Sequence, residues 1–114
     1  MTDFAPKALR AGVPYQHKVE VASENGAIAS IAGGHVHITK AGVCALTLAA
    51  PVRDGAELHI ISETAHAHTV TVTGAIAGAA QDVGTFGGAI NDSCILYSRN
   101  LKWCMGPTRN VTWG

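Results

Sequence analysis

The sequence predicts an all-β protein: a single small β-sandwich, jelly roll or barrel domain with an extended N-terminal arm. Short alternating runs of β-branched residues are separated by Gly, Asn or Asp along almost the whole chain. Helical periodicity is nearly absent, and βαβ units would need intervening helices. With 114 residues the chain can hold one domain and one modest core. These observations favour eight to ten short strands, the number typical of such a domain.

The first fourteen residues differ from the remainder. Residues 1–14 include Pro6, Pro14 and charges of both signs, and they have little to bury locally. We therefore expect an extended arm over 1–14 and a β-sandwich or barrel over 15–114. The arm is either disordered or ordered by a neighbouring subunit, and the slight core of the domain favours the second arrangement.

Turn signals divide the first half of the domain into strands. "YQHKVEVAS" places Val19 and Val21 on one face, and the Asn25-Gly26 pair after it predicts a hairpin into "AIASIA". Gly33-Gly34 turns the chain into "HVHITK". "VCALTLAAP" follows, then a turn at Asp54-Gly55, then the strands "ELHIIS" and "HTVTVTG".

The second half begins with a segment of small residues. "AIAGAAQDVGTFGG", residues 75–88, is typical of a loop, with a short helix over 79–83 as the alternative. "CILYS" and "LKWCM" then flank the two-residue Arg99-Asn100 connection, which predicts a tight hairpin. "NVTW" is expected to close the sheet as a final strand.

Composition and charge exclude several classes of function. Eight Lys and Arg balance eight Asp and Glu without a run of either sign, so we expect no nucleic-acid partner. No window approaches 18 uncharged apolar residues, and the N-terminus lacks the apolar core of a signal peptide, so neither a membrane span nor secretion is expected. Three cysteines without CxxC spacing fit a reducing compartment. Aromatic residues are only 5% of the chain, and so thin a core favours burial against further copies.

The histidines are the best candidates for a reactive site. His35 and His37 alternate with Val36 and Ile38, so they are expected to point to solvent. His66 and His68 share the parity of the valines that follow them, and residues i and i+2 on a strand can converge on one metal ion.

A metal would need further ligands beyond this pair. His59 on the preceding strand, or a threefold axis that repeats the pair, could supply them. The favoured alternative is that His66 and His68 are neutral imidazoles that hydrogen-bond at a strand end or a subunit interface, so no metal or other cofactor is expected.

Enzyme motifs are missing from the sequence. There is no GxSxG elbow, and the glycine-rich stretch lacks the Lys of a P-loop. The carboxylates Asp54, Glu57, Asp82 and Asp92 are scattered among turns and strand starts, where they usually bind backbone groups. We therefore expect no catalytic residues and no enzymatic activity.

Two stretches carry a resemblance to a known class of protein. "HVHITKAGVCALTLAAPVRDGAELHIISETAHAHTVTVTG" followed by "TFGGAINDSCILYSRNLKWCM" resembles small structural modules of bacteriophage virions, such as capsid decoration (cement) proteins and modules of head or tail fibres. The resemblance covers roughly Gly34 to Met105. Since fibre proteins normally contain repeats and a long shaft, the short single domain favours a decoration protein.

The resemblance implies an all-β subunit, made in the host cytoplasm, that assembles on a larger shell or fibre. It implies a homo-oligomer, with a trimer favoured over a dimer, bound to the major capsid protein on the outer surface of the virion. We expect the arm to contribute to the contact with the shell through Phe4, Lys7, Leu9 and Arg10. The alternative is a tail- or fibre-associated module that binds a glycan or protein receptor.

Overall fold

The structure is a computed structural model, and it describes residues 18–76, 78 and 82–114. The predicted arm, residues 1–14, lies outside the described residues. Within the described part the chain forms ten strands and no α-helix. The strands are β1 (Val19–Ala22), β2 (Gly26–Ala27), β3 (Gly34–Ile38), β4 (Ala45–Leu48), β5 (Glu57–Ser62), β6 (Thr69–Val72), β7 (Val83–Phe86), β8 (Ser93–Arg99), β9 (Lys102–Arg109) and β10 (Val111–Trp113).

The ten strands form two five-stranded sheets. Sheet I has the order β9-β8-β5-β3-β1, and sheet II has the order β10-β7-β6-β4-β2. The all-β prediction is confirmed. The described strands close neither sheet into a barrel.

The first six strands alternate between the two sheets, so that strands adjacent within a sheet run parallel. β1, β3 and β5 pair in parallel in sheet I, and β2, β4 and β6 pair in parallel in sheet II. His35 pairs with His59 and Leu46 pairs with Val70, and each pair is 24 residues apart in the chain. This part of the molecule is therefore a coil in which each turn contributes one strand to each sheet.

The hairpin predicted at Asn25-Gly26 is wrong. β1 ends before this pair and β2 begins at Gly26, and the two strands belong to different sheets. The Asn25 side chain explains the bend, because its Oδ1 accepts hydrogen bonds from the backbone N–H of Ala45 and from Lys40 Nζ, both at 3.0 Å. Asn25 thus fixes the crossing to the next turn of the coil.

The last four strands pair antiparallel to their neighbours in the two sheets. β7 pairs with β6, β8 with β5, and β10 with β7. The predicted hairpin joins β8 to β9, but its two turn residues are Asn100 and Leu101, one position later than expected, and both have φ of 56°. The Asp54 carboxylate holds this turn by accepting the Leu101 N–H at 2.8 Å.

The loop predicted over residues 75–88 is wrong in part, because Val83–Phe86 is strand β7. Gly84 is needed within that strand, since a Cβ there would lie 2.8 Å from the Trp113 ring on β10. The alternative helix over 79–83 falls largely outside the described residues. No helix among the described residues is long and apolar enough to cross a membrane.

The core lies between the two sheets and is mainly aliphatic. Trp103, fully buried on β9, links the sheets because its Nε1–H donates to the Ala49 carbonyl, after β4, at 2.8 Å. Within sheet I, Ser98 on β8 holds the turn before β5, since its hydroxyl accepts the Ala56 N–H and donates to the Arg53 carbonyl, both at 2.7 Å. The largest other buried side chains are Phe86, Ile38, Leu48, Leu58, Ile60 and Leu96.

Candidate functional site

His68 lies inside the molecule, as its parity predicts, whereas His66 lies in a bend at the partly exposed surface. Both residues precede β6. Their ring centroids are 6.1 Å apart, and the Phe86 ring packs edge-on against His68 at the same distance. The pair therefore sits at the end of sheet II, with one ring in the core and the other outside it.

Both ring nitrogens of His68 have hydrogen-bond partners. The Cys44 N–H donates to Nδ1 at 3.0 Å, which requires that Nδ1 carries no proton. The proton is therefore on Nε2, which lies 2.9 Å from Thr64 Oγ1, and the Thr64 hydroxyl donates onward to the Lys40 carbonyl. This chain of bonds fixes one neutral tautomer of His68.

Burial lowers the pKa of His68, and the nearby His66 ring lowers it further, against a smaller opposing effect of Thr64 and Asp92. The neutral imidazole is thus the stable form in the folded protein. With Nδ1 and Nε2 both engaged, His68 has no nitrogen available for a metal. The preferred prediction, a neutral hydrogen-bonded histidine, describes His68.

His59 does not join this pair. It lies on the outward face of β5, in the other sheet, and its Nε2 lies 2.6 Å from Glu57 Oε2. Among the described residues, no group of three or more His, Cys, Asp or Glu side chains is arranged to hold a metal ion.

A second histidine cluster, which the sequence did not predict as a group, occupies the outward face of sheet I. His35 and His59 are register partners on β3 and β5, and their rings stack 4.6 Å apart at 5°. His37 stacks more distantly on His35, at 6.4 Å, and its Nδ1 lies 2.7 Å from Glu63 Oε2. The expectation that His35 and His37 point outward is confirmed. The 24-residue spacing of His35 and His59 was the signal that could have brought them together.

Apolar side chains complete this outward face. Val19 and Val21 at the β1 edge are 62% and 63% exposed, and Tyr97 on β8 is 39% exposed. The register builds two continuous rows across the sheet. One row is Val19, His35, His59 and Ile95, and the other is Val21, His37, Ile61 and Ser93. We call this surface, with Tyr97 and Cys104, the histidine–valine face.

The charges of the histidine–valine face lie at its margins. Glu57 begins β5 and Glu63 follows that strand, so they mark its two ends. Arg99, Lys102 and Arg109 lie along the β8–β9 hairpin. The two rows between these charges therefore contain aliphatic side chains, imidazoles and the hydroxyl of Ser93.

Sheet II shows a different outward surface. Thr47 and Thr71 are register partners, as are Thr69 and Thr85, and Thr112 lies beyond Thr85. Thr47, Thr71, Thr85 and Thr112 are exposed. Small polar side chains of this kind suit a sheet face in contact with water.

Asp92, one of the carboxylates that the sequence placed in no site, joins the turn before β8 to the turn before β10. Its Oδ2 accepts the backbone N–H of Gly88 and Ala89, and the Asn110 amide donates to its Oδ1 at 3.1 Å. Burial raises the pKa of Asp92, but these hydrogen bonds and the Arg109 charge outweigh it, so the pKa lies below its usual value. The role of Asp92 is structural, because all of these partners belong to the turns before β8 and β10.

The cysteines fall into two classes. Burial raises the pKa of Cys44 and raises that of Cys94 to about 12, so neither is a reactive thiol. Cys104 is exposed on the outward side of β9, opposite Tyr97.

The predicted shell contacts Phe4, Lys7, Leu9 and Arg10 lie outside the described residues. No protein-family model matches the chain, and no curated protein matches it significantly.

Proposed function

We propose that this chain is a virion structural protein, a capsid decoration protein that binds the outer surface of a phage head and stabilises the lattice of the major capsid protein. It acts as a homo-oligomer, a trimer rather than a dimer, and its mechanism is mass action. A protein that binds only the assembled shell stabilises that shell by its binding free energy, and several linked subunits gain avidity.

The histidine–valine face is the observation that carries this proposal. It has exposed valines at its β1 edge and no Lys, Arg, Asp or Glu side chain in the middle, and a surface of this kind is typical of an interaction site. The sequence resemblance between Gly34 and Met105 supplies the class of assembly. The hydrogen bonds of His68 and Asp92 support the same reading, since both side chains stabilise the fold.

Receptor binding by a tail- or fibre-associated module is the second candidate. A glycan site would need aromatic side chains on the surface for stacking. Trp103 and Phe86 are in the core, and Trp113 packs against it. Among the described aromatic side chains, Tyr97 is the one that is exposed, so the described surface favours the decoration protein.

Electron microscopy of virions carrying this protein tests the proposal. We expect density for a compact β domain at symmetric positions on the outside of the head. As a quantitative test, heads that lack the protein are mixed with the purified chain and sedimented. Saturable binding to heads, with greater resistance of the loaded heads to heat, is the expected result. Density on the tail alone, with no binding to heads, would assign the chain to receptor binding instead.

A further inference from the structure

We propose that the histidine–valine face is the surface through which one copy of this chain binds another. This inference rests on the proposed function in one respect: self-association of the chain is part of it. Contact between two copies of the same face has twofold symmetry, so the inference predicts a dimer, the alternative to the trimer favoured above.

The histidine–valine face is continuous and regular. Two register rows cross four adjacent strands from Val19 and Val21 to Ile95 and Ser93, and Tyr97 and Cys104 extend the surface toward the hairpin. The Tyr97 ring lies over Gly106, where an added Cβ would be 2.5 Å from the ring. The Tyr97 side chain is therefore held close to the sheet, so that the surface stays flat enough to contact another broad surface.

The charges around the face favour a second copy over other partners. Glu57 and Glu63 stand at the two ends of β5, and three basic side chains lie along the neighbouring hairpin. A polyanion would be repelled by the two carboxylates, and a basic partner would be repelled by the hairpin. A second copy can place its own basic hairpin over the acidic ends of β5, because the surface contains both halves of that match.

Contact between two such faces places no Lys, Arg, Asp or Glu side chain in the middle of the interface. The middle of the two rows contains His35, His37, His59 and Ile61, and valines lie at the β1 ends of the rows. Leaving carboxylate and ammonium groups out of the buried middle avoids their large desolvation cost. Glu57 and Glu63, the partners of His59 and His37, are at the margin, where both can keep contact with water.

The area of the histidine–valine face limits how strong the association between two copies can be. Five strands at about 4.8 Å spacing, with about five residues per strand at about 3.3 Å, cover roughly 24 by 17 Å, or about 400 Å² in projection. Two faces together remove about 800 Å², which is below the roughly 1,200 Å² of a standard specific complex and in the range of weak, transient contacts. The association is therefore expected to be weak and to increase with protein concentration.

The test compares two double variants that introduce the same pair of carboxylates on different faces of the molecule. Val19→Glu/Val21→Glu places two carboxylates on the histidine–valine face, at exposed positions i and i+2 of β1. Ala45→Glu/Thr47→Glu makes the same change at exposed positions i and i+2 of β4, on the outward face of sheet II. Cys104→Glu, at the other margin of the histidine–valine face, checks that an effect is not peculiar to β1.

Sedimentation velocity over a range of concentrations gives the mass of each protein. We expect the wild type and Ala45→Glu/Thr47→Glu to rise from 11.7 kDa toward the mass of a dimer, and the other two variants to remain near 11.7 kDa. Circular dichroism confirms that each variant is folded. A wild type that remains at 11.7 kDa throughout, or folded variants that all associate as the wild type does, would overturn the inference.

Binding to heads, measured on the same proteins, separates this inference from the proposed function. If all variants associate normally and all bind heads, the surface is wrong and the function stands. If association is lost only in the variants of the histidine–valine face while even the wild type fails to bind heads, the surface stands and the function is wrong.

Discussion

The outward faces of the two sheets differ, although both sheets bury aliphatic side chains against the same core. The solvent-exposed face of sheet I contains valines, stacked imidazoles and a tyrosine, while that of sheet II contains threonines. Threonine suits a solvated strand because its methyl group favours the extended backbone and its hydroxyl binds water. An exposed valine side chain has no polar group that could bind water. Under the proposed function, this difference makes sheet I, and not sheet II, the side expected to meet a partner.

The largest expected effect contrasts the inside and outside of sheet I. Trp103→Ala removes a fully buried ring and its bond to the Ala49 carbonyl, so we expect the free energy of unfolding to fall by about 3–5 kcal/mol. Tyr97→Ala, on the outward side of the same hairpin, should cost about 1 kcal/mol or less. Urea denaturation at low protein concentration, where self-association adds no stability, measures both. Equal losses would mean that the outward face is part of the core.

The histidines provide the next contrast. His68→Ala leaves the buried Cys44 N–H without its acceptor and opens a small cavity, and we expect a loss of about 2–4 kcal/mol. His59→Ala, on the outward face of sheet I, removes a partly exposed ring and should change the stability by less than about 0.5 kcal/mol. The same denaturation experiment measures the two variants. A loss in His59→Ala as large as that in His68→Ala would place the stacked imidazoles among the residues that hold the fold.

The pH dependence of stability should carry the signature of His68. Its pKa is lowered in the folded protein from the ordinary value of 6.5, so the unfolded chain binds the proton more readily. The stabilisation is complete above pH 6.5 and is lost as the pH falls toward the folded pKa. Melting temperatures between pH 8 and 4.5 should therefore decrease on acidification, and His68→Gln should reduce that slope. An unchanged slope in this variant would show that another group governs it.

Asp92 acts in a separate and more acidic window. Its folded pKa lies below the ordinary value of 3.8, so its contribution is present above that pH and is lost as the pH falls through the folded pKa. Asp92→Asn should lower the stability at neutral pH by about 1–3 kcal/mol, because the amide cannot accept from all three donors. It should keep the slope near pH 6 and steepen it slightly, because the Asp92 charge raises the pKa of His68. Loss of the slope near pH 6 in Asp92→Asn would contradict the assignment to His68.

The smallest effect is expected on the outward face of sheet II. Thr71→Val keeps the shape of an exposed strand residue and should change the unfolding free energy by less than about 0.5 kcal/mol. It should also leave the sedimentation coefficient unchanged. A shift toward larger species would show that either face associates once it is made apolar, which would remove the distinction between the sheets.

The sequence predicted which side chains of each strand face the core better than it predicted which strands pair with each other. Alternation placed Val36 and Ile38 inside, His35 and His37 outside, and His68 inside. Alternation depends on residues two apart in one strand, so it can be read locally. The hairpin predicted at Asn25-Gly26 was wrong because a turn motif specifies only that the chain bends there. It does not specify which strand pairs with the strand before the bend.

Parallel pairing requires information from distant parts of the chain. His35 and His59 meet only because two turns of the coil are 24 residues apart, and the histidine cluster depends on that spacing. Comparing "HVHI" and "ALTL" with "HIIS" and "TVTV" at this interval would have shown the repeat. The partners of Asp92 and Asn25 were not predictable in the same way, because hydrogen bonds to particular loop backbones depend on the final positions of those loops.

Cys104 offers the most direct measurement of whether the histidine–valine face is covered. It is exposed on that face, while Cys44 and Cys94 are buried and serve as unreactive references. A thiol reagent should modify one cysteine per folded chain, at a rate that falls as the protein concentration rises through the association range. In Val19→Glu/Val21→Glu the rate should stay high at every concentration. If Cys104 of the wild type reacts equally fast when the protein is associated and when it is monomeric, copies do not meet through this face.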